Sequence, residues 1–224
     1  MAATATAAAA LVLAALLAVA GCAKKQAAGP AGAGGAAPPA RAEDVSLSTL
    51  ALMRGSFEQH KAQWRAVLSG ADSPLPMDQV DAFPGPEFYP YDASWRFVGD
   101  LDRSAAPRTL AMPDTKGREE PYIEYGLFRF ERAGRVDTLV VYRPIEHPQQ
   151  FFIPFRDSTS GHETYEGGRY VHLDSLAASR FLLDFNHAYN PYCAYASTWA
   201  CPLPPRRNEL AAAVRAGMKF TPVP

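Results

Sequence analysis

Two alternating apolar runs separated by a two-residue break restrict the fold of this chain more than any other feature. Between Tyr122 and Arg132 apolar and polar residues alternate, and the phase slips by one at Gly126. Ile123, Tyr125 and Leu127 fall on one parity, Phe128 and Phe130 on the other. Alternation of this kind belongs to a strand with one buried face, and a one-residue slip beside a glycine marks a β-bulge. Ala133-Gly134 then offers a tight turn, and Val136 to Tyr142 returns as a Val-rich strand, so the segment predicts a bulged hairpin ended by Pro144. Ser94–Leu101 and Arg108–Met112 are further short strand candidates. Gln150–Phe155 is apolar throughout and carries Pro154, which places it at a sheet edge or corner.

Ahead of these strands the pattern is helical. Leu50, Met53, Phe57, Trp64 and Leu68 recur at helix spacing, with Asp44 or Ser46 as N-cap and Gly70 as the stop. His60 borders that stripe. Ser73–Pro76 and Phe83–Tyr91 hold too many prolines for either regular element and read as a wrapping loop. The expected fold is therefore mainly β: an antiparallel sandwich or a small curved barrel, with one N-terminal amphipathic helix and a long irregular C-terminal crossing. Within the crossing, Asn208–Gly217 has a short helical pattern, and a last edge strand could form near Lys219.

The chain divides into three parts. Residues 1–21 read as an export signal, because Ala7–Ala20 is an unbroken Ala/Leu/Val run too short for a comfortable membrane span. Val19-Ala20-Gly21-Cys22 resembles the bacterial lipobox, whose cysteine is diacylated, although no Lys or Arg precedes the apolar run. Cys22 is thus the expected lipidation site and membrane link. Residues 22–42 are an Ala/Gly/Pro tether with little to bury, and residues 43–224 form a single globular domain. The expected location is the cell envelope, lipid-anchored, with Ala23 favouring the outer membrane facing the periplasm. A formal net charge of −1 gives no clustered basic face, which excludes nucleic acid as a partner.

Unusual side chains concentrate between Phe151 and Pro205. The segment has no G-x-S-x-G elbow, no phosphate-cradling loop and no metal-binding helix, and its cysteines lack a C-x-x-C clip. No metal or cofactor is expected. Arg156 and Arg169 have the guanidinium fork that clamps a carboxylate or phosphate, or locks an internal acid. With Glu163, Tyr165, Tyr170, Asn186 and Asn190 they make a candidate ligand pocket. Asp157, Glu163 and Asp184 are the candidate acid and base residues for hydrolysis. With Cys22 acylated, Cys193 and Cys201 are an even remainder: a disulfide in an oxidising compartment, buried thiols, or a nucleophile with His187 as its base.

A longer composite pattern runs through the same region: Phe152-Ile153-Pro154-Phe155-Arg156-Asp157, Glu163-Thr164-Tyr165, Gly167-Gly168-Arg169-Tyr170, Asp184-Phe185-Asn186, Ala188-Tyr189-Asn190-Pro191, Cys193-Ala194-Tyr195 and Cys201-Pro202-Leu203-Pro204-Pro205. Together with Ser73-Pro74-Leu75 and Phe88-Tyr89-Pro90, it resembles the domain of unknown function family 1684 over about Ser56 to Lys219. The sequence departs from that pattern at Glu166, His162 and His172, in the exchanged charges of Arg207-Asn208-Glu209-Leu210, and at Met218. The resemblance implies the same cysteine pair in relatives that lack an export signal, but no activity. The leading expectation is a membrane-tethered envelope domain binding a small anionic or hydroxylated ligand. The alternatives are a hydrolase working through carboxylates and an envelope protein-interaction module.

Overall fold

A computed structural model describes residues 38–42, 46–105, 107–176 and 179–224. The expected export signal, Cys22 and residues 22–37 of the expected tether lie outside the described residues. The strands are β1 (Ala40–Arg41), β2 (Arg96–Asp102), β3 (Arg108–Pro113), β4 (Glu119–Arg132), β5 (Arg135–Pro144), β6 (Phe152–Phe155), β7 (Arg169–Ser175) and β8 (Arg180–Asp184), and the helix is α1 (Leu47–Ser69). Of the two β architectures expected, the chain adopts the barrel. Strands β2, β8, β7, β6, β5 and β4 are hydrogen-bonded in that order, and β4 returns to β2 through Leu101 opposite Phe128 and Asp102 opposite Leu127. β1 wedges into this seam, antiparallel to β2 and parallel to β4, completing a seven-strand closed barrel. β3 pairs with the first half of β4 outside the ring.

The bulged hairpin forms where the alternation places it. β4 and β5 pair in register except between Glu124 and Gly126, where the ladder slips. The slip lets Tyr125 before it and Phe128 and Phe130 after it pack into one interior cluster, while Tyr122 and Leu127 join a cluster on the other face. The connecting turn has Ala133 at φ 50° and Gly134 at φ 76°, the left-handed pair that matches strand twist in a two-residue hairpin.

Aromatic rings fill the barrel. Phe185 stands at the centre, with Trp95, Phe130 and Phe155 set roughly edge-on at 5.5, 5.5 and 5.2 Å. Each fully buried side chain of this size contributes about 1.5–3 kcal/mol, so the interior dominates stability. Two sites in the wall need special chemistry. At the seam β1 crosses so close to β2 that a Cβ on Gly99 would meet the Ala40 Cβ at 2.5 Å, so only glycine fits. Between β5 and β6 the ladder is a single pair, Tyr142 opposite Phe152, and Pro154 has no N–H to extend it. The buried Asn208 side chain fills that gap like a piece of strand. Its Nδ2 donates to the Val140 and Pro154 carbonyls at 3.0 and 2.8 Å, and its Oδ1 accepts from Val140 N at 2.7 Å.

Ser46 caps α1, accepting from Thr49 N at 3.2 Å, and Gly70 ends it. The helix buries Phe57 and Leu68, and Phe57 meets the wrapping loop edge-on at Phe88. Among the described residues no helix is long and apolar enough to cross a membrane. The C-terminal crossing differs from expectation. Asn208–Gly217 forms no helix beyond a 3-10 turn at Arg206–Asn208, and the edge strand near Lys219 shrinks to one bridge between Phe88 and Met218. The reason is competition for carbonyls: those of Val214, Ala216 and Met218 accept from the Arg169 side chain.

Candidate functional site

Two of the polar residues singled out from the sequence, Arg169 and Asp157, form a sealed knot. Arg169 is almost fully buried, and its Nη2 donates to Asp157 Oδ2 at 2.8 Å and to the Val214 carbonyl at 2.7 Å. Its Nη1 holds the carbonyls of Ala216 and Met218, and its guanidinium lies over the Phe155 ring. Asp157 Oδ1 accepts from the backbone and hydroxyl of Thr159. The ion pair thus ties β7 to the turn after β6, and the same guanidinium ties it to the irregular crossing through three carbonyls.

The remaining predicted residues are spread over several separate contacts, some buried and some exposed. Glu163 receives a two-point clamp from Arg215 and a hydrogen bond from the Tyr89 hydroxyl, which hold its carboxyl below the usual carboxylate range. Asp184 caps the turn at Asn186, and Asn186 bridges to the backbone of Asp92. Asn190 donates to the Lys219 carbonyl. Arg156 is exposed beside Glu209, and the Tyr165 hydroxyl donates to the Cys193 carbonyl at 3.4 Å. Among the described residues, Tyr170 is the member of the predicted ligand set that lines the cavity beside α1.

That cavity is a cleft of about 640 Å³ on the outer face of the barrel, between α1 and the crossing. Strand periodicity builds one wall: Tyr170, His172 and Asp174 of β7 alternate with buried Val171 and Leu173, so all three point outward beside Phe152 of β6. Helical spacing builds the opposite wall, where His60, Gln63, Trp64 and Val67 share one face of α1. The crossing adds Tyr189, Tyr192, Trp199 and Cys201.

The rings are ordered against one another. Trp64 stacks on Tyr189 at 4.9 Å, and Tyr189 stacks on His172 at 5.7 Å. Tyr192 stands nearly perpendicular to Trp64 and steeply inclined to Trp199, at 82° and 67°. Several polar tips are already used within the protein. The Tyr170 hydroxyl donates to the Pro202 carbonyl at 2.6 Å, Trp199 Nε1 donates to the Pro74 carbonyl at 2.9 Å, and the Tyr189 hydroxyl pairs with His172 Nε2 at 2.9 Å. What these rings present to the cleft is therefore their faces, beside His60 and His187, whose buried Nε2 atoms have no partner in the protein. Burial pushes the Tyr122 hydroxyl up to about 12, so it stays neutral. His60, stacked on His187 at 4.8 Å, is pushed down to about 4 by burial and then by His187 and His172. No Lys or Arg lines the cleft, and Asp174 is its one carboxylate.

Cys193 and Cys201 are free thiols in contact, with Cys193 N donating to Cys201 Sγ at 3.2 Å. The hydrogen bond between the two thiols lowers Cys193 to about 7 and raises Cys201, whose burial adds to the rise. Among the described residues no cluster of His, Cys, Asp and Glu can hold a metal ion.

Sequence reasoning missed most of the cleft. Its signals were present as Tyr170-x-His172-x-Asp174 on one strand parity and His60/Trp64/Val67 on one helix face, but nothing local says that the two faces oppose each other. Comparison with known proteins adds lineage. The family model for a protein of unknown function, DUF1684, matches residues 81–219, so α1 precedes the matched segment. The solution NMR structure of an uncharacterized protein from Haloarcula marismortui shares the fold, with a TM-score of 0.61 and 30% identity over 77% of this chain and 96% of that one. No curated protein matches.

Proposed function

The chain belongs to the family of proteins of unknown function DUF1684, and because that membership carries no activity of its own, we propose from the site that this is a small-molecule-binding domain whose ligand lies in the aromatic cleft beside α1. The observation that carries the reading is the set of ring faces turned to the cleft, with the tips of Tyr170 and Trp199 held elsewhere and the buried Nε2 atoms of His60 and His187 left without a partner in the protein. A concave site of this volume, ring-walled with a few polar groups that fix orientation, holds a compact ligand by stacking and apolar contact. The anion clamp expected from Arg156 and Arg169 has no counterpart here, so the ligand is one recognised by rings. Asp157, Glu163 and Asp184 are engaged away from the cleft, and no observation favours hydrolysis.

Tryptophan emission tests this reading. Trp64 and Trp199 line the cleft, whereas Trp95 is buried in the barrel, so quenching by acrylamide reports on the first two. Titration with aromatic fragments, hexoses and small amines should give saturable protection with at least one class. A flat response across all three overturns the reading.

The domain is further proposed to work at the cell envelope, held by acylated Cys22; the lipobox-like Val19–Cys22 and the tether after it support this. Cys22→Ala should move the protein from the membrane fraction to the soluble fraction. Retention in the membrane would refute the anchor. In an oxidising compartment the adjoining Cys193 and Cys201 are proposed to close as a disulfide.

A further inference from the structure

Resting on the cleft reading above, we propose that the group recognised there is a quaternary or methylated ammonium, carried by a small organic cation. Three observations converge on it. Trp64, Tyr192 and Trp199 form an open-sided box, Tyr192 being set at 82° to the first ring and 67° to the other, at 6.3 and 5.1 Å. Rings meeting at steep angles surround a rounded cation with the negative faces of their π-systems, whereas a flat ligand needs parallel walls.

Charge is the second observation. The lining has no Lys or Arg, and exposed Asp174 stands on its rim as the one carboxylate. His60 remains neutral down to about pH 4, so at neutral pH it adds no positive charge. The third is the state of the box's own polar edge. Trp199 Nε1 is engaged with the Pro74 carbonyl, so that ring offers its face, which suits a group that has no N–H or O–H to satisfy. A methylated ammonium is that kind of group: charged, apolar at its surface, and attracted by ring faces.

The test compares choline with 3,3-dimethylbutan-1-ol, which has the same shape without the charge, using the tryptophan readout and calorimetry on the folded domain. Choline should bind at least tenfold more tightly than the neutral isostere. Asp174→Asn, a surface change that leaves the fold intact, should weaken choline about threefold or more and leave the isostere unchanged. Trp64→Ala should abolish both. Glycerophosphocholine separates the sources of the ammonium: binding tighter than choline assigns a lipid headgroup, and weaker binding assigns a free solute, both within the proposal. Equal binding of choline and its isostere overturns the ammonium assignment and leaves the cleft reading standing. Binding of hexoses or aromatic fragments without choline does the same. A flat response to every probe overturns both.

Discussion

Two regions of this molecule draw on the same aromatic and polar stretch, and they are opposites. The knot around Arg169 and Asp157 is dense in charge and closed to solvent; the cleft beside α1 is nearly uncharged and open. In the knot the Nη groups of Arg169 are spent on Asp157 and on three carbonyls of an irregular crossing that has few regular backbone bonds of its own. In the cleft several polar tips are spent in the same way, but the ring faces are left over. A binding surface is what remains after internal demands have been met, and here the remainder is aromatic, not ionic.

The largest effect should come from breaking the knot. Arg169→Ala leaves Asp157 as a buried, unpaired carboxylate and frees three carbonyls, which should cost about 3–5 kcal/mol in urea unfolding. Arg169→Lys should recover little of this, because an ammonium cannot reproduce the planar fork. A loss below about 1 kcal/mol on the alanine variant would mean that the crossing is held by its apolar contacts instead.

A smaller effect sharpens the contrast from the side of the cleft. The folded state holds His60 at about 4, below the ordinary 6.5, so the unfolded chain binds its proton first as the pH falls. Its contribution to stability is complete above about pH 6.5 and declines toward about pH 4, where it levels off. Glu163, lowered by Arg215, adds its own loss only below its ordinary 4.5. Denaturant midpoints measured between pH 6.5 and 4.5 should therefore slope downward toward acid, and His60→Gln should flatten part of that slope, the rest coming from His172, which burial also lowers. An unchanged slope would assign it to other groups.

The smallest effect lies where the two regions meet. Cys193 Sγ lies 3.8 Å from the Tyr165 hydroxyl on one side and adjoins the cleft residue Cys201 on the other. In the reduced protein, alkylation by iodoacetamide should be faster at Cys193 than at Cys201, with a rate rising through about pH 7. Equal rates at the two thiols would contradict the uneven environment.

The sheet was legible because its signals are local. The slip at Gly126, the turn at Ala133-Gly134 and the stop at Gly70 each depend on residues a few positions apart. Closure into a barrel was not legible, since it rests on β2 meeting β4 and on the close passage of Ala40 over Gly99, contacts that no periodicity encodes. The candidate site fared worse for a related reason. Arginine beside aspartate reads the same way whether it faces solvent or carbonyls, and only the path of residues 214–218 decides that Arg169 is sealed. The cleft pairs His60 with His187 and Trp64 with Tyr189, partners from distant parts of the chain.

The seam at β1 has a mechanical consequence. The chain preceding the barrel enters through Ala40–Arg41, whose ladder pairs Arg41 with Val98 on one side and runs parallel to Phe130 and Glu131 on the other. A pull arriving from upstream falls first on this two-residue wedge, while the β4 and β5 hairpin beside it has a long ladder broken only by its bulge. Under tension the wedge should peel out before the hairpin opens, leaving the β2–β4 contact to hold the ring. β1 would then be the part that yields first, sparing the wall that carries the cleft.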